Sequence, residues 1–226
     1  MKKNIIIFAP HPDDETIGCG GTIAKKLSEG FNVIIVVMTD GRYLFRHLLK
    51  IDSDPSPDEI RKIRRDELLR AVGILGVPAN NVIFLDFEDG ALEKYEAKVR
   101  KRVIEILKKY SPVEVYFPFI REFHSDHVAT NRIIRRCVQE SGLKPLMYQY
   151  CTLHKYGRVG PLFERLMGLL KGNAIKVDIS EFIELKEKAL KEFKSQFSII
   201  SDKQQHPIED GVERYLKKHE IFYVAA

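Results

Sequence analysis

Residues 4–24 read NIIIFAPHPDDETIGCGGTIA and contain the clearest signal of secondary structure in the chain. It opens with an apolar run at residues 4–9 that is rich in Ile, as buried strands are. The run ends at Pro10, and a cluster of imidazole and carboxylate groups follows between prolines, which fix the backbone angle φ. A helical pattern then covers residues 16–29 and ends at Gly30, a residue typical of helix C-termini. The stretch therefore predicts a strand that leads directly into a helix.

The alternation of strand and helix continues through the first half of the chain. Apolar runs at residues 33–39, 82–85 and 113–117 predict three more buried strands, and helical patterns at 58–75 and 95–110 lie between them. This order is typical of an α/β fold: a single Rossmann-like domain with a mostly parallel sheet and helices on both faces. Ligands bind at the carboxyl ends of the strands in such folds, so we expect the active site there.

The second half of the chain is less regular. Residues 127–137 have a helical pattern, residues 146–153 resemble a strand, and residues 182–197 form a charged amphipathic pattern. Between them, residues 157–172 concentrate Leu, Phe and Met side chains. Core packing would explain this segment, and a lid or a subunit contact in a homo-oligomer are two further hypotheses. We expect residues 1–226 to form one domain, since no low-complexity linker divides them.

Composition excludes several classes of protein. With 226 residues, of which 44% are hydrophobic, the chain can bury a substantial core and is not intrinsically disordered. No apolar run approaches the roughly 20 residues that cross a bilayer, so we expect no membrane span and a cytoplasmic location. The three cysteines, Cys19, Cys137 and Cys151, lack the C-x-x-C spacing of a thiolate zinc site, and their odd number argues against a disulfide framework.

The positive charge allows two interpretations. The net charge is +5, and basic clusters occur at residues 61–65, 98–102 and 132–136. Each cluster lies in a helical pattern interleaved with Asp and Glu, and no aromatic-rich basic strand accompanies it. This favours solvated helix faces, and we expect no nucleic-acid partner. A basic nucleic-acid-binding module with a structural His/Asp cluster is the alternative from another functional class.

A second cluster of imidazole and carboxylate groups reads His-Ser-Asp-His at residues 124–127 and opens a helical pattern. It follows the predicted strand at 113–117, just as the first cluster follows the strand at 4–9. Because both strands belong to one parallel sheet, we expect both clusters at the same edge. The two sets of side chains would therefore meet although they are far apart in sequence.

The spacing within each cluster suits a metal. His11 and Asp14 are three residues apart, as are His124 and His127, and this spacing brings side chains to one face of a turn or helix. Two imidazoles and a carboxylate make a three-ligand site for a divalent ion, zinc first, with one position open for water. Asp13 would remain free as a base, and the spare histidine as an acid or oxyanion donor.

Plainer interpretations exist for both clusters. Asp13, Asp14 and Glu15 would suit the N-terminus of a helix as caps, and Asp126 would do so in the second cluster. Capping leaves His11 unexplained. A non-catalytic, metal-stabilised scaffold is a further alternative, although such a scaffold needs no spare base.

Residues 9–24 closely resemble the signature of the LmbE-like, or PIG-L, family of zinc-dependent N-deacetylases. Further pieces follow in the family's order: Thr-Asp-Gly at residues 39–41, Arg-Arg-Asp-Glu at 64–67, the cluster at 124–127, and a Lys, Ala and Ser-Gln pattern within 186–196. The resemblance covers residues 4 to about 197. It implies hydrolysis of an N-acetyl group on an N-acetylglucosamine-type sugar or its conjugate.

The resemblance also implies a role for individual residues. The following would hold one zinc ion per chain: His11, Asp14 and His127. Asp13 would be the general base, His124 would polarise the amide carbonyl, and Asp126 would orient the His124 ring. Arg64 and Asp89 match positions that the family uses around the sugar. The small-molecule partner would be an amino sugar, and an amidase acting on a larger amide conjugate is the alternative within enzymes.

The chain departs from the family's pattern at two places. It has Gly41-Arg42 where the family often has Gly-Glu, and Glu122-Phe123 where a Gly or Asp often precedes the second His motif. These departures concern substrate contacts. The residues that match the metal ligands and the base are intact.

Overall fold

The computed structural model describes residues 2–152 and 174–225, which form an α/β fold around one seven-stranded sheet. The predicted lid or subunit contact at 157–172 lies outside the described residues. The strands of this sheet are β1 (Asn4–Ala9), β2 (Asn32–Thr39), β3 (Val82–Phe87), β4 (Glu114–Pro118), β5 (Leu146–Tyr150), β6 (Ala174–Asp178) and β7 (His219–Val224). The helices described are α1 (Asp14–Ser28), α2 (Leu44–Leu49), α3 (Pro57–Ile74), α4 (Glu96–Tyr110), α5 (Ser125–Ser141), α6 (Ile183–Leu190) and α7 (Lys194–Phe197).

The sheet has the order β3-β2-β1-β4-β5-β7-β6 and is mostly parallel. Strands β1 to β5 pair in parallel, whereas β7 runs antiparallel to both β5 and β6. The chain order reverses between β1 and β4, which are neighbours although β2 and β3 separate them in sequence. Such a switch point opens a crevice at the carboxyl ends of the two strands. The predicted fold class is confirmed.

Side chains of β1 alternate between two cores, one on each face of the sheet. Ile6 and Phe8 pack with apolar residues of α4 and α5, such as Val103 and Ile133. Ile5 and Ile7 pack on the opposite face with α1, α3 and α6. Because strand side chains alternate with period two, a continuous apolar strand must be buried on both faces. The helices on both faces thus follow from the run that opens the sequence.

Helix α1 packs unusually close to its neighbours through two glycines. A Cβ atom at Gly18 would collide with the Tyr150 ring, and one at Gly21 would collide with the Ile179 side chain. The helix can therefore lie against β5 and the segment after β6 only because these positions lack side chains. This packing fixes the helix whose N-terminus carries Asp14.

One predicted helix is wrong in its continuity. The pattern at 182–197 predicted a single helix, whereas α6 ends at Leu190 and α7 begins at Lys194. The interruption carries Phe193 into the core, where it is fully buried. Ser195 then donates its backbone N–H to Glu67 Oε1 at 2.8 Å. A tertiary partner and a buried aromatic side chain therefore override the helical periodicity.

The basic clusters form ion pairs on the helix surfaces. Arg132 lies 2.7 Å from Glu96 and 3.0 Å from Glu93, and Arg136 lies 2.9 Å from Glu96. Arg65 lies 3.2 Å from Asp86. Such pairs support the interpretation of these clusters as solvated helix faces. Within the described ranges, no helix combines the length and hydrophobicity that a membrane span requires.

Candidate active site

The two His-bearing clusters meet at the carboxyl ends of β1 and β4. Strand β1 ends at Ala9, and α1 begins at Asp14 after a short turn. Strand β4 ends at Pro118, and α5 begins at Ser125. Because β1 and β4 are paired neighbours, the turn after one strand faces the loop after the other. The expected position of the active site is therefore where the clusters converge.

Three of the converging side chains present ligand atoms at metal-binding distances. Asp14 Oδ2 lies 3.3 Å from His11 Nδ1 and 3.1 Å from His127 Nε2, and the two ring nitrogens are 3.3 Å apart. Ligand atoms held tetrahedrally at about 2.0–2.1 Å from zinc are about 3.3 Å from one another. All three residues are buried. The donor set thus fits one face of a tetrahedral site and leaves a fourth position.

The other ring nitrogen of His11 and of His127, the two histidines predicted to bind the metal, also has a partner. His11 Nε2 lies 3.2 Å from Asp126 Oδ2 and 3.2 Å from Asp89 Oδ1. His127 Nδ1 lies 3.4 Å from Thr152 Oγ1. Carboxylate and hydroxyl partners of this kind fix the tautomer and orientation of ligating histidines. These partners therefore orient His11 Nδ1 and His127 Nε2 toward Asp14 Oδ2 and toward each other.

The carboxylates around His11 favour a cation there. Burial lowers the pKa of His11, but its hydrogen bonds to Asp126, Asp14 and Asp89 outweigh burial and raise that pKa well above its ordinary value. For Asp89, hydrogen bonding from His11 and the charges of His11 and Arg64 outweigh burial, and the pKa is lowered. The group therefore stabilises positive charge, whether a proton or a metal ion supplies it.

Asp13 has a strained backbone and does not act as a side-chain cap. Its φ of 132° lies in a region that non-glycine residues rarely occupy, and its carboxylate makes no capping hydrogen bond to α1. Gln196 Nε2 instead donates to Asp13 Oδ2. Arg64 NH2 lies 3.4 Å from Asp13 Oδ1. The capping interpretation therefore fails for this residue, whose side chain is fully buried and which directly precedes Asp14, a predicted metal ligand.

His124 occupies the N-cap of α5 and has a defined tautomer. Its Nδ1 accepts a hydrogen bond from the Asp126 backbone N–H at 3.2 Å, so the proton of the neutral ring lies on Nε2. Burial and the electrostatic effect of the neighbouring His11 and His127 rings lower the pKa of His124 to about 3. A neutral imidazole with an Nε2–H group is a hydrogen-bond donor. This is the property required of a residue that polarises a carbonyl.

Asp126 contacts both His124 and His11. It is predicted to orient the His124 ring, and its backbone N–H donates to Nδ1 of that ring. The carboxylate accepts from the backbone N–H groups of Gly90 at 2.8 Å and Leu92 at 3.0 Å, and it contacts His11. These two N–H groups turn the carboxylate toward His11, so the backbone of Asp126 faces His124 while its carboxylate faces His11.

Arg64 and Asp89 both reach the site. Arg64 is 2% exposed and donates to the backbone carbonyls of Pro12 at 2.6 Å and Gly41 at 3.0 Å. It is therefore not part of a solvated helix face, and it braces the turn that carries Asp13. Asp89 accepts from the Tyr43 backbone N–H at 2.9 Å in addition to its contact with His11.

A cavity of about 120 Å³ opens onto this group. The predicted residues on its walls are His11, Arg64, Asp89, His124 and His127. Other wall residues had no predicted role: Leu44, His47, Leu48, Glu122, Thr152, Gln196 and Glu209. The sequence contained a signal for two of them: Glu122 is a departure from the family's pattern, and Gln196 belongs to the family's last motif. No pattern in the sequence singled out the others.

Glu122 lies close to His127, one of the predicted metal ligands. It accepts from the Thr152 backbone N–H at 2.6 Å and lies 3.7 Å from His127 Nδ1. Burial raises the pKa of this carboxyl. The family departure at residue 122 thus lies against a predicted ligand as well as on the cavity wall.

Two proteins that are similar to this chain are both named as diacetylchitobiose deacetylases. The diacetylchitobiose deacetylase of Thermococcus kodakarensis is 31% identical over 202 residues, which cover 86% of this chain and 70% of that protein. The N,N'-diacetylchitobiose deacetylase of Pyrococcus horikoshii, solved with an inhibitor, superposes with a TM-score of 0.71 at 27% identity, covering 99% of this chain and 84% of that one.

A 4-carboxy-2-hydroxymuconate hydratase from Pseudomonas putida has a TM-score of 0.69 at 18% identity, covering 86% of this chain and 80% of that one, and shares the fold.

The family model described as "PIG-L: GlcNAc-PI de-N-acetylase" matches residues 6–138, which carry both His-bearing clusters. This match covers more than half of the chain, and the first relative extends it into the C-terminal region. The chain belongs to the PIG-L, or LmbE-like, family.

Proposed function

We propose that this chain is a zinc-dependent hydrolase that removes the N-acetyl group from an N-acetylglucosamine-type sugar or its conjugate. One observation carries the proposal: His11, Asp14 and His127 present three donor atoms at the spacing of a tetrahedral zinc site. The proposal is supported by the family description, a GlcNAc-PI de-N-acetylase, and by relatives named as deacetylases of acetylated amino sugars.

The proposed ligands are those three residues, with one zinc per chain. When bound, zinc would lower the pKa of a coordinated water toward about 7 and polarise the amide carbonyl. Asp126 and Asp89 orient His11, and Thr152 orients His127. Ligands that are held in this way lose little orientational freedom when they bind an ion.

Asp13 is the proposed general base. It takes a proton from the attacking water and returns a proton to the amine nitrogen when the C–N bond breaks. Its position directly before Asp14 places it beside the metal-ligand group, and Gln196 and Arg64 hold its two carboxylate oxygens. The strained backbone at this residue supports a functional role, because such strain is retained where the surrounding structure requires it.

His124 is the proposed oxyanion donor. Its Nε2–H would donate a hydrogen bond to the carbonyl oxygen as negative charge develops there. A neutral ring suits this task better than proton transfer to the amine, since the pKa of His124 is lowered to about 3. Arg64 and Asp89 line the same cavity and are the proposed sugar contacts. An amidase acting on a larger conjugate would use the same groups with other wall contacts.

The test is a screen of N-acetylated amino sugars, free and conjugated, against zinc-loaded protein, with released acetate as the readout. We expect at least one amino sugar to release acetate, and we expect chelation to abolish the release and zinc to restore it. The Asp13→Asn variant, loaded with the same zinc, is the matched control. No acetate from any member of the panel, or release that chelators do not change, would refute the proposal.

Several wider expectations remain predictions. They are a single domain over residues 1–226, a cytoplasmic location, and a lid or homo-oligomer contact formed by residues 157–172. The basic nucleic-acid-binding alternative predicts binding that weakens steeply with salt and does not require zinc. Filter binding with and without chelator at two salt concentrations separates it from the hydrolase.

A further inference from the structure

Gln196 lies on the cavity wall and is fixed there by contacts of its neighbours. It belongs to α7, the short helix after the interruption at residues 191–193. Ser195 donates to both carboxylate oxygens of Glu67, through its backbone N–H at 2.8 Å and its hydroxyl at 2.6 Å. The Gln196 backbone carbonyl accepts from the Glu209 N–H at 2.9 Å. The side chain of Gln196 is therefore presented to the cavity by a rigid support.

The orientation of the Gln196 amide is dictated by Asp13. Nε2 donates to Asp13 Oδ2, and the flipped amide would place one oxygen acceptor against another. Oε1 is thereby directed away from Asp13. It is buried and has no hydrogen-bond partner among the residues that the structure describes, and the residue as a whole is 1% exposed.

A buried amide oxygen without a partner is costly, because it has lost its hydrogen bonds to water without replacing them. Groups of this kind are uncommon in native proteins, and at a cavity wall a bound ligand can supply the missing donor. The substrate class proposed above carries such a donor at the reacting bond, the N–H of the secondary amide. An ester of the same sugar has none.

We propose that Gln196 makes two contacts in the reaction: Nε2 holds Asp13, and Oε1 accepts the N–H of the scissile amide. This inference rests on the proposed function and assigns a role to a residue that the metal-ligand and base groups do not include. Together with a carbonyl contact to His124, the N–H contact would fix the plane of the amide for attack. The site would therefore select amides over esters at the reacting bond.

The test compares one amide with one ester. The amino sugar that releases most acetate in the screen is paired with the same sugar carrying an O-acetyl group at that position. Gln196→Met retains the length of the side chain and removes both contacts. We expect kcat/KM to fall for both substrates because Asp13 is no longer held, and to fall about tenfold further for the amide, which alone loses a hydrogen bond.

Two further variants sharpen the comparison. Gln196→Glu keeps an acceptor at Oε1 but removes the donor to Asp13, so both rates should fall while the amide-to-ester ratio stays near that of the unmodified protein. Gln204→Met is the matched control, because Gln204 is also buried but does not line the cavity. It should change neither the ratio nor the rates by more than about twofold.

Each outcome decides the inference. Equal losses on amide and ester in Gln196→Met would overturn the N–H contact, and unchanged rates on both would overturn the two contacts together. Should Gln196→Met fail to fold, Gln196→Asn gives the same comparison, because its side chain is one methylene too short to make both contacts. Zinc-loaded unmodified protein that cleaves no amide refutes the proposed function instead, so the two failures are distinguishable.

Discussion

The turn at residues 10–15 and the segment at 191–209 build the same cavity by different means. In the turn, His11 and Asp14 contact each other across three positions of the chain. In the C-terminal segment, Ser195 contacts Glu67 across 128 positions, and Gln196 contacts Asp13 across 183. Local contacts leave a readable spacing in the sequence, whereas long-range contacts leave none. The chemistry of the turn can therefore be predicted from the sequence, whereas the supporting contacts of the segment are visible only in the folded structure.

The two regions should therefore respond differently to substitution. Changes in the turn remove a metal ligand or the base, so they should act on metal content and turnover. Changes in the segment, apart from those at Gln196, remove contacts that hold those groups, so they should act first on stability and only secondarily on turnover. The predictions below test this division, beginning with the largest effect.

Asp14→Asn is expected to have the largest effect. It removes the negative charge of the proposed ligand Asp14, whose Oδ2 lies close to both His11 and His127. Zinc affinity should fall by more than about 100-fold, and acetate release at stoichiometric zinc should disappear. Metal analysis after dialysis and the acetate assay measure both. Asp66→Asn, at an exposed aspartate of α3, is the control and should behave like the unmodified protein. An Asp14→Asn protein that retains its zinc contradicts the ligand assignment.

Substitution of Asp13 should separate catalysis from metal binding. Asp13→Asn should keep zinc and lose roughly 10²- to 10⁴-fold in kcat, because the base is gone while the ligands remain. Asp13→Gly should lose as much activity but unfold at a higher temperature than Asp13→Asn, since glycine tolerates the φ of 132°. We expect a difference of about 1 kcal/mol after the added freedom of unfolded glycine is subtracted.

Two outcomes would contradict this prediction. Zinc lost from Asp13→Asn but retained in Asp14→Asn would reverse the assigned roles. Equal stability of the Asn and Gly variants would show that relief of backbone strain at residue 13 does not outweigh the buried side-chain contacts that glycine lacks.

The first four strands and the meeting of the two His-bearing clusters could be predicted from the sequence for a physical reason, whereas the choice of metal ligands within the clusters came from the family resemblance. A parallel strand buried on both faces needs a continuous apolar run, and the residues after it must lie at the ligand-binding edge of the sheet. These rules place His11 and His127 together without any knowledge of their contacts. They do not fix which part of Asp126 faces which ring, so its separate contacts to His124 and His11 are visible only in the fold.

The C-terminal half could not be predicted to the same depth. The interruption between α6 and α7 depends on Phe193 entering the core and on Glu67 binding Ser195, and neither event leaves a period in the sequence. Glu209 lines the cavity from a segment without regular structure around it. Such positions are set by tertiary packing, which periodicity does not report.

Glu15 is the one acidic residue of the turn with no proposed role in metal binding or catalysis, and it is expected to affect stability instead. Burial raises the pKa of Glu15 to about 7, against 4.5 for a free glutamate. Because the folded pKa is raised, the carboxyl is neutral in both states below pH 4.5, and the folded state is increasingly penalised as pH rises from 4.5 to 7. Metal-free protein should lose roughly 3 kcal/mol of stability over that window.

Denaturant unfolding at pH 5 and pH 8 measures this loss. Glu15→Gln should remove most of the pH dependence, because its amide does not ionise. Glu59→Gln, at an exposed glutamate of α3, is the control and should leave the loss in place. An unchanged pH dependence in Glu15→Gln would show that other groups account for the loss.

Ser195→Ala is expected to have the smallest effect, and it tests the C-terminal segment directly. The hydroxyl donates to Glu67 Oε2 at 2.6 Å, and its loss leaves one carboxylate oxygen without that bond. The backbone N–H of residue 195 still donates to the other oxygen, so α7 should stay in place. We expect a loss of about 1–2 kcal/mol in the free energy of unfolding, unchanged zinc content, and less than about tenfold loss in kcat. Ser28→Ala, at an exposed serine of α1, is the control for stability. If Ser195→Ala instead lost as much turnover as Asp13→Asn at full stability, Ser195 would take part in the chemistry itself, and the division between the two regions would fail at a residue of the segment other than Gln196.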